Sequence, residues 1–299
     1  MPPVKTLPGM PALPKLADYA EKYRDIFTFE RSESGVLLVK WHENGDTAPW
    51  TLVMHRSIPE MLKEAGRDVE NEVFILGGTG DDFFKHQKIP PLPLNTDIAA
   101  LAGFTNQPAQ EEICNDPDSL FWLSYEHIYY DGCRMVESIV NDIEVPTIGV
   151  LNGAGIHTEI ALLCDITLMA EEATIADPHM NLNWAAGDGI QVAFRMAMGY
   201  KRSNYALLTG QEIDAQTALD WGMVNEVMPR DKIYARAREL GESFATRNRI
   251  LRRVNTQILR GPLKKMVQEV RGSLGAEMFA TMAAHNQHYG KWPGKPDKA

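Results

Sequence analysis

The chain has 299 residues, of which 44% are hydrophobic and 23% charged: enough apolar material for a large core, with no uninterrupted run suited to a membrane span. A formal net charge of −10 repels nucleic acid and anionic membrane alike, so neither is expected as a partner. Cys114, Cys133 and Cys164 are odd in number and lack metal-ligand spacing, so they read as free thiols of a reducing compartment, with the cytoplasm as the expected location.

In chain order, Pro2, Pro3, Pro8, Pro11 and Pro14 predict an extended N-terminal arm over residues 1–26. Phe27–Arg31 and Gly35–Trp41 read as two strands joined by a Ser-Glu-Ser-Gly turn, a hairpin. A helix over Ile58–Ala65 and a buried strand over Val73–Leu76 follow, the strand stopped by Gly77-Gly78-Thr79-Gly80. Residues 89–118 carry Pro90, Pro91, Pro93, Pro108 and Pro117 with little periodicity; such an insertion is either a binding loop or a solvated excursion. A long helix is expected over Leu120–Asn141 and a strand over Thr147–Leu151. A helix over Ile160–Cys164, strands over Asp165–Met169 and Ala173–Ala176, and a helix over Ile190–Met198 come next. Strands alternating with helices predict an α/β core with parallel pairing over residues 27–213, and beyond Asp214 the pattern is almost wholly helical.

Three places carry residue types suited to chemistry. In Asn152-Gly153-Ala154-Gly155-Ile156-His157, glycines after a strand allow a tight turn at a helix start, where His157 is placed to donate to a developing oxyanion, although a packed or capping side chain is the commoner use of such a histidine. In Asp177-Pro178-His179, proline pre-sets the backbone before a histidine, and Asp188 follows nine residues after His179. A His–Asp pair has a defined tautomer and can activate water, whereas Asp188 by itself is also a plausible N-cap. Trp50, after the Thr47-Ala48-Pro49 turn, offers an indole donor if it is not simply core. Eight histidines invite a metal, but nothing matches HExxH or CxxC, and His285/His288 is a bare i,i+3 pair; no metal is expected.

The stretch Glu144-Val145-Pro146-Thr147-Ile148-Gly149-Val150-Leu151-Asn152-Gly153 resembles the strand-and-turn signature of the crotonase (enoyl-CoA hydratase/isomerase) superfamily. Leu208-Thr209-Gly210-Gln211-Glu212-Ile213-Asp214-Ala215 and Ala218–Val227 are similar to its later helices, and the resemblance covers roughly residues 27–260. It implies a spiral of ββα units, with a helical C-terminal region over 214–299 that associates into a homotrimer or a dimer of trimers. Where a hydratase has paired glutamates, this chain keeps Glu159 but has His179 at the second position, and the glycine and aspartate of an F-x-x-G-x-D segment are missing after Phe83.

Those departures are similar to the CoA-independent branch of 6-oxocamphor hydrolase and related β-diketone hydrolases. The resemblance implies that His157, His179, Asp188 and Trp50 form the site, with Glu277 joining from the C-terminal helices after a gap. It further implies retro-Claisen hydrolysis of a cyclic diketone to a keto acid, with no cofactor. A CoA-thioester enzyme retaining Glu159, and a non-catalytic binding protein on the same fold, are the competing readings.

Overall fold

Val36–Trp41, Val73–Gly78 and Thr147–Leu151 are rich in Val, Ile and Leu and buried almost throughout, the signature of strands covered on both faces. They form the middle of a six-stranded sheet in the computed structural model, which describes residues 7–85 and 123–289. The proline-rich stretch 89–118, Cys114, the segment following Lys85 and the start of the helix expected at Leu120 lie outside the described residues, as do the side chains of His285 and His288.

The sheet runs β1 (Phe27–Arg31), β2 (Val36–Trp41), β3 (Val73–Gly78), β4 (Thr147–Leu151), β5 (Ile166–Ala170) and, at its far edge, β8 (Glu226–Met228). β1 and β2 form the expected antiparallel hairpin, and every later pairing is parallel, with Val36 opposite Val73 and Ile148 opposite Ile166. A small antiparallel pair, β6 (Thr174–Ile175) with β7 (Ile213–Asp214), stands apart from it. Helix α7 (Arg230–Ala245) packs on β2 to β5, while α2 (Leu52–Arg67) packs on α3 (Asp131–Asn141). The α/β class with a parallel-rich sheet is therefore as predicted.

Four differences have physical causes. The proline-rich start is not extended throughout: the prolines end at Pro14, and Leu16–Lys22 forms a short helix, α1, that buries Tyr19 in the core, where its hydroxyl donates to Asp68 at 3.0 Å. Helix α2 begins six residues before the predicted Ile58, capped by Thr51, whose side chain accepts from Met54 N. Its Pro59 lies in the third turn and does not break the helix. Over its described residues, the helix ending at Asn141 is π-helical over Leu123–Tyr130 and α-helical over Asp131–Asn141. The region beyond Asp214 is not all helix: β8 completes the main sheet and α7 covers it, so the core extends well past residue 213.

The C-terminal part comprises α8 (Arg249–Leu259), α9 (Gly261–Met266) and α10 (Val270–Tyr289). No helix among the described residues is long and apolar enough to cross a membrane. Cys133 and Cys164 are buried free thiols, as expected.

Candidate active site

Two loops leave the carboxyl ends of β3 and β4 side by side, and glycine sets their spacing. A Cβ on Gly153 would lie 1.9 Å from the carbonyl oxygen of Asp81, so only glycine permits this approach. Asn152 stitches the pair together: its Oδ1 accepts from Gly78 N at 3.1 Å, and its Nδ2 donates to the carbonyls of Gly80 and Asp82 at 3.0 and 2.9 Å. Phe83 N donates to Ala154 O at 2.7 Å. Phe83 and Phe84 then pack on Trp41, and Phe84 meets the edge of Trp50 at 5.0 Å.

His157 follows this stitched turn with φ of 55°, a left-handed conformation that a non-glycine residue adopts mainly where its surroundings impose it. Its ring stacks on Trp50, with centroids 3.7 Å apart and planes at 23°. Nδ1 lies 2.8 Å from Glu159 Oε1, so the glutamate retained from the hydratase pattern here serves as the imidazole's partner. Burial opposes a charge on His157, but Glu159 and Asp188 outweigh it and raise the imidazole above its ordinary value. Burial raises the Glu159 carboxyl despite the neighbouring His157.

His179 sits at the head of the 3-10 turn Met180–Leu182 and is buried, 8% exposed. Its Nδ1 lies 2.6 Å from Asp177 Oδ1. On the other side of the ring, Nε2 faces Glu277 Oε1 at 3.5 Å and Asp188 Oδ2 at 3.8 Å. The expected pairing of His179 with Asp188 is thus a facing contact beyond direct hydrogen-bond length, and the short partner is Asp177. Asp188 serves two roles: Oδ1 accepts from Ile190 N at 3.2 Å at the start of α5 (Ile190–Thr209), and Oδ2 lies 3.8 Å from both His157 Nδ1 and His179 Nε2. Burial works against the Asp188 charge, but His179 and His157 more than compensate and hold its carboxyl low. His179, although burial disfavours its cation, is held well above the usual imidazole range by Asp177, Asp188 and Glu277.

Glu277 comes from α10, ninety positions after Gly187, and the contact is built tightly. Gly187 N donates to Glu277 Oε2 at 2.8 Å, Ser273 Oγ donates to Gly187 O at 2.8 Å, and Gln191 Nε2 donates to Ser273 Oγ at 2.7 Å. A Cβ on Gly187 would lie 2.4 Å from Ser273 O, so the loop can lie against the helix only with glycine there. Burial raises the Glu277 carboxyl above the usual range, against the lowering effect of His179.

All five residues singled out in the sequence, Trp50, His157, His179, Asp188 and Glu277, therefore meet in one region. Two more belong with them. Asp177 was read as part of a motif but not as the partner of His179, because an i,i+2 spacing gives no hint that both side chains turn the same way. His55, buried on α2, meets Trp50 edge-on at 5.5 Å, and its Nδ1 is 2.5 Å from His127 O in the π-helical segment. Burial, then the nearby His157, pull it down to about 4, so it is neutral near pH 7. Its one signal was lying five residues after Trp50 on a helix face the sequence had placed outside any helix.

Among the described residues, two donor sets are close enough to take a metal ion: His157, Glu159 and Asp188, and His179, Asp188 and Glu277. In the first set His157 already bonds Glu159, and in the second the His179 nitrogen opposite Asp177 faces both carboxylates, so a proton or a water meets the same donors without a metal.

The enoyl-CoA hydratase/isomerase family model matches residues 123–290, more than half of the chain. A hydroxycinnamoyl-CoA hydratase-lyase from Pseudomonas fluorescens is 29% identical over 74% of this chain and 73% of its own length. A probable mitochondrial enoyl-CoA hydratase 2 from Arabidopsis thaliana is 28% identical over 40% of each chain, so the chain spans well under two thirds of that relative's length. Among solved structures, a β-diketone hydrolase from the cyanobacterium Anabaena, bound to (S)-3-oxocyclohexyl acetic acid, is 29% identical over 90% of this chain and 98% of its own, with a TM-score of 0.73. An enoyl-CoA hydratase from Mycobacterium avium subsp. paratuberculosis has a TM-score of 0.65 at 19% identity, covering 85% of this chain and 93% of its own, and shows the shared fold alone. The parallel-rich sheet and its helices are the crotonase fold, and the chain belongs to the enoyl-CoA hydratase/isomerase family.

Proposed function

We propose that the protein is a hydrolase that cleaves a carbon–carbon bond of a cyclic β-diketone by a retro-Claisen reaction, giving a keto acid. The observation that carries the reading is the convergence of Asp188 Oδ2 and Glu277 Oε1 on His179 Nε2, at 3.8 and 3.5 Å, with His157, stacked on Trp50, 3.8 Å from the same Asp188 oxygen. The two carboxylate oxygens flank Nε2 on one side of the ring, so a water that contacts Nε2 there also meets Asp188 and Glu277. The likeness to the Anabaena β-diketone hydrolase supports the same reading.

His179 Nε2 takes a proton from that water as its oxygen bonds to one carbonyl carbon of the diketone. Negative charge collects on the carbonyl oxygen, where the raised proton affinity of His157 favours an imidazolium donor and Trp50 supplies the adjoining indole. The tetrahedral centre then collapses to a carboxylic acid. The electron pair of the breaking C–C bond passes into an enolate, delocalised onto the second carbonyl. His179 returns its proton to the enolate carbon, so diketone and water yield keto acid in balance. The second carbonyl is essential, because a monoketone would have to expel an unstabilised carbanion. These residues accomplish the cycle through proton transfer and charge stabilisation without a cofactor.

A CoA-thioester reading is favoured by one observation, the retained Glu159 in a family whose relatives above act on CoA esters; its bond to His157 argues against an independent acid–base role. Thermal-shift and turnover assays with 1,3-cyclohexanedione derivatives, their keto-acid products and acyl-CoA esters separate the two. Diketone turnover with no protection by acyl-CoA is expected; protection by acyl-CoA alone would overturn the hydrolase reading.

We also propose self-association into a homotrimer or a dimer of trimers. Ile250, Leu251, Val254, Ile258 and Leu259 lie 51 to 71% exposed along α8, an apolar stripe a lone chain leaves in water. Sedimentation should give a multiple of three chains, and a monomer at micromolar concentration would remove the proposal.

A further inference from the structure

We propose that Asp177 is the positioning residue of His179: its carboxylate holds a proton on Nδ1, so that Nε2 is the nitrogen that exchanges protons in the site. At 2.6 Å, Asp177 Oδ1 is, among the described residues, the one carboxylate oxygen well inside hydrogen-bond length of this imidazole. Asp188 and Glu277 both stand farther off and on the opposite nitrogen. The aspartate conventionally sought for such a dyad is therefore on the reacting side of the ring here, and the orienting one is two residues upstream.

The backbone makes the short contact rigid. Pro178 separates the two residues with a fixed φ, and His179 enters the 3-10 turn with φ −51° and ψ −53°. Its carbonyl accepts from Leu182 N at 3.0 Å and from Trp184 N at 2.8 Å, so the main chain beneath the imidazole is fixed at both donors. Asp177 is 4% exposed, and among the described residues its second oxygen, Oδ2, is buried without a hydrogen-bond partner. A buried carboxylate with one oxygen unmatched destabilises the fold unless a counter-charge faces it. Among the described residues the partner shown for Asp177 is His179, so the carboxylate is committed to this imidazole.

The groups facing His179 are Asp177 from its own loop, Asp188 from the loop before α5, Glu277 from α10 and His157 from the turn after β4. Asp177 and Asp188 differ in which nitrogen they address, so their charges have separable effects. With Asp177 ionised, the neutral ring is the Nδ1–H tautomer and Nε2 keeps its lone pair for a water proton. With an amide in its place, the side-chain NH2 can face Nδ1 and drive the proton to Nε2, where it blocks that role.

The kinetic part of the test rests on the diketone hydrolase reading; the spectroscopic part does not. In protein labelled with 15N-histidine, His179, assigned by its loss in H179A, should show the Nδ1–H tautomer when neutral. D177N should populate Nε2–H and lower the His179 titration midpoint by about one pH unit or more, while D177E keeps the wild-type tautomer. In turnover, D177N should lower kcat by about 10²-fold or more, with KM within about threefold, and move the pH–rate limb to lower pH; D177E should restore part of the rate. An unchanged tautomer and midpoint in D177N, or a D188N variant that shifts the tautomer where D177N does not, would overturn the proposal. So would a loss of rate in D177N with an unmoved limb, which is the mark of a structural role. If D177N does not fold, a D177E variant with an altered tautomer is the overturning result. Were no diketone turned over by any form, the hydrolase reading would fail while the tautomer measurement still decided Asp177.

Discussion

Replacing His179 with alanine or glutamine lowers kcat for a cyclic 1,3-diketone by about 10²–10⁴-fold, the range that general-base catalysis by a positioned side chain supplies. Glutamine retains hydrogen-bonding capacity without a titratable nitrogen, so near-wild-type turnover in H179Q would show that the ring orients rather than accepts a proton. The pH dependence has a definite sign. Asp177, Asp188 and Glu277 hold the buried imidazole well above its ordinary value of 6.5. A base must be neutral, so kcat/KM should rise with pH through the His179 titration, with that limb displaced upward from the ordinary imidazole value. The same shift stabilises the native state most fully below the unfolded-state value, and that contribution is lost as pH rises through the folded-state value. An activity limb centred below pH 6 would be inconsistent with His179 as the base.

Arg260→Ala should destabilise the fold by about 1–3 kcal/mol, the typical cost of leaving hydrogen-bond partners of a buried charged group unmatched, because the guanidinium is buried while its partner Asp165 reaches solvent. Arg260 is 3% exposed and closes the junction between α8 and α9. Its Nε donates to Asp165 Oδ1 at 2.7 Å, Nη1 donates to Ile143 O, and Nη2 donates to Val145 O and Thr147 Oγ1, each at 3.0 Å. Asp165 in turn accepts from Thr147 N at 2.8 Å, so one guanidinium fixes the starts of β4 and β5 together. Loss of the guanidinium leaves the carbonyls of Ile143 and Val145, in the segment before β4, without this donor, while Asp165 keeps the bond from Thr147 N. A urea midpoint for R260A, read with the wild-type m-value, measures the loss; R260K should fall between, since an ammonium restores charge but not the fork. A change below about 1 kcal/mol in R260A would mean water replaces the network at little cost.

How much of this was legible in the sequence depends on what each feature requires. β3 and β4 read correctly because buried parallel strands announce themselves as apolar runs ended by glycine. The β1–β2 hairpin was equally plain from its turn. β8 did not, because Glu226-Val227-Met228 is three residues long and half-buried, and only β5 beside it makes it a strand. Helix α2 extends beyond the predicted Ile58–Ala65 because His55, Arg56 and Ser57 leave no clear apolar period in its first turns, and packing on α3 holds them helical.

In the site, His157 was visible through the glycines that place it, and Glu277 only through resemblance, since its contact spans ninety residues. Gly187 is what allows that contact, and no local pattern marks a glycine needed for one helix to approach. The His179–Asp188 pairing came from spacing and resemblance, whereas the 2.6 Å contact of Asp177 depends on a backbone turn whose direction spacing does not encode.

The central claim, that water is added across a carbon–carbon bond with His179 as the acceptor of its proton, is tested most directly by isotope incorporation. Wild-type protein turning over a symmetric cyclic 1,3-diketone in 18O-labelled water should release a ring-opened keto acid with one label in its new carboxyl group, and H179A should form it at a rate reduced by about 10²-fold or more. An unreacted diketone, a labelled diketone without ring opening, or equal rates in the two proteins would contradict it.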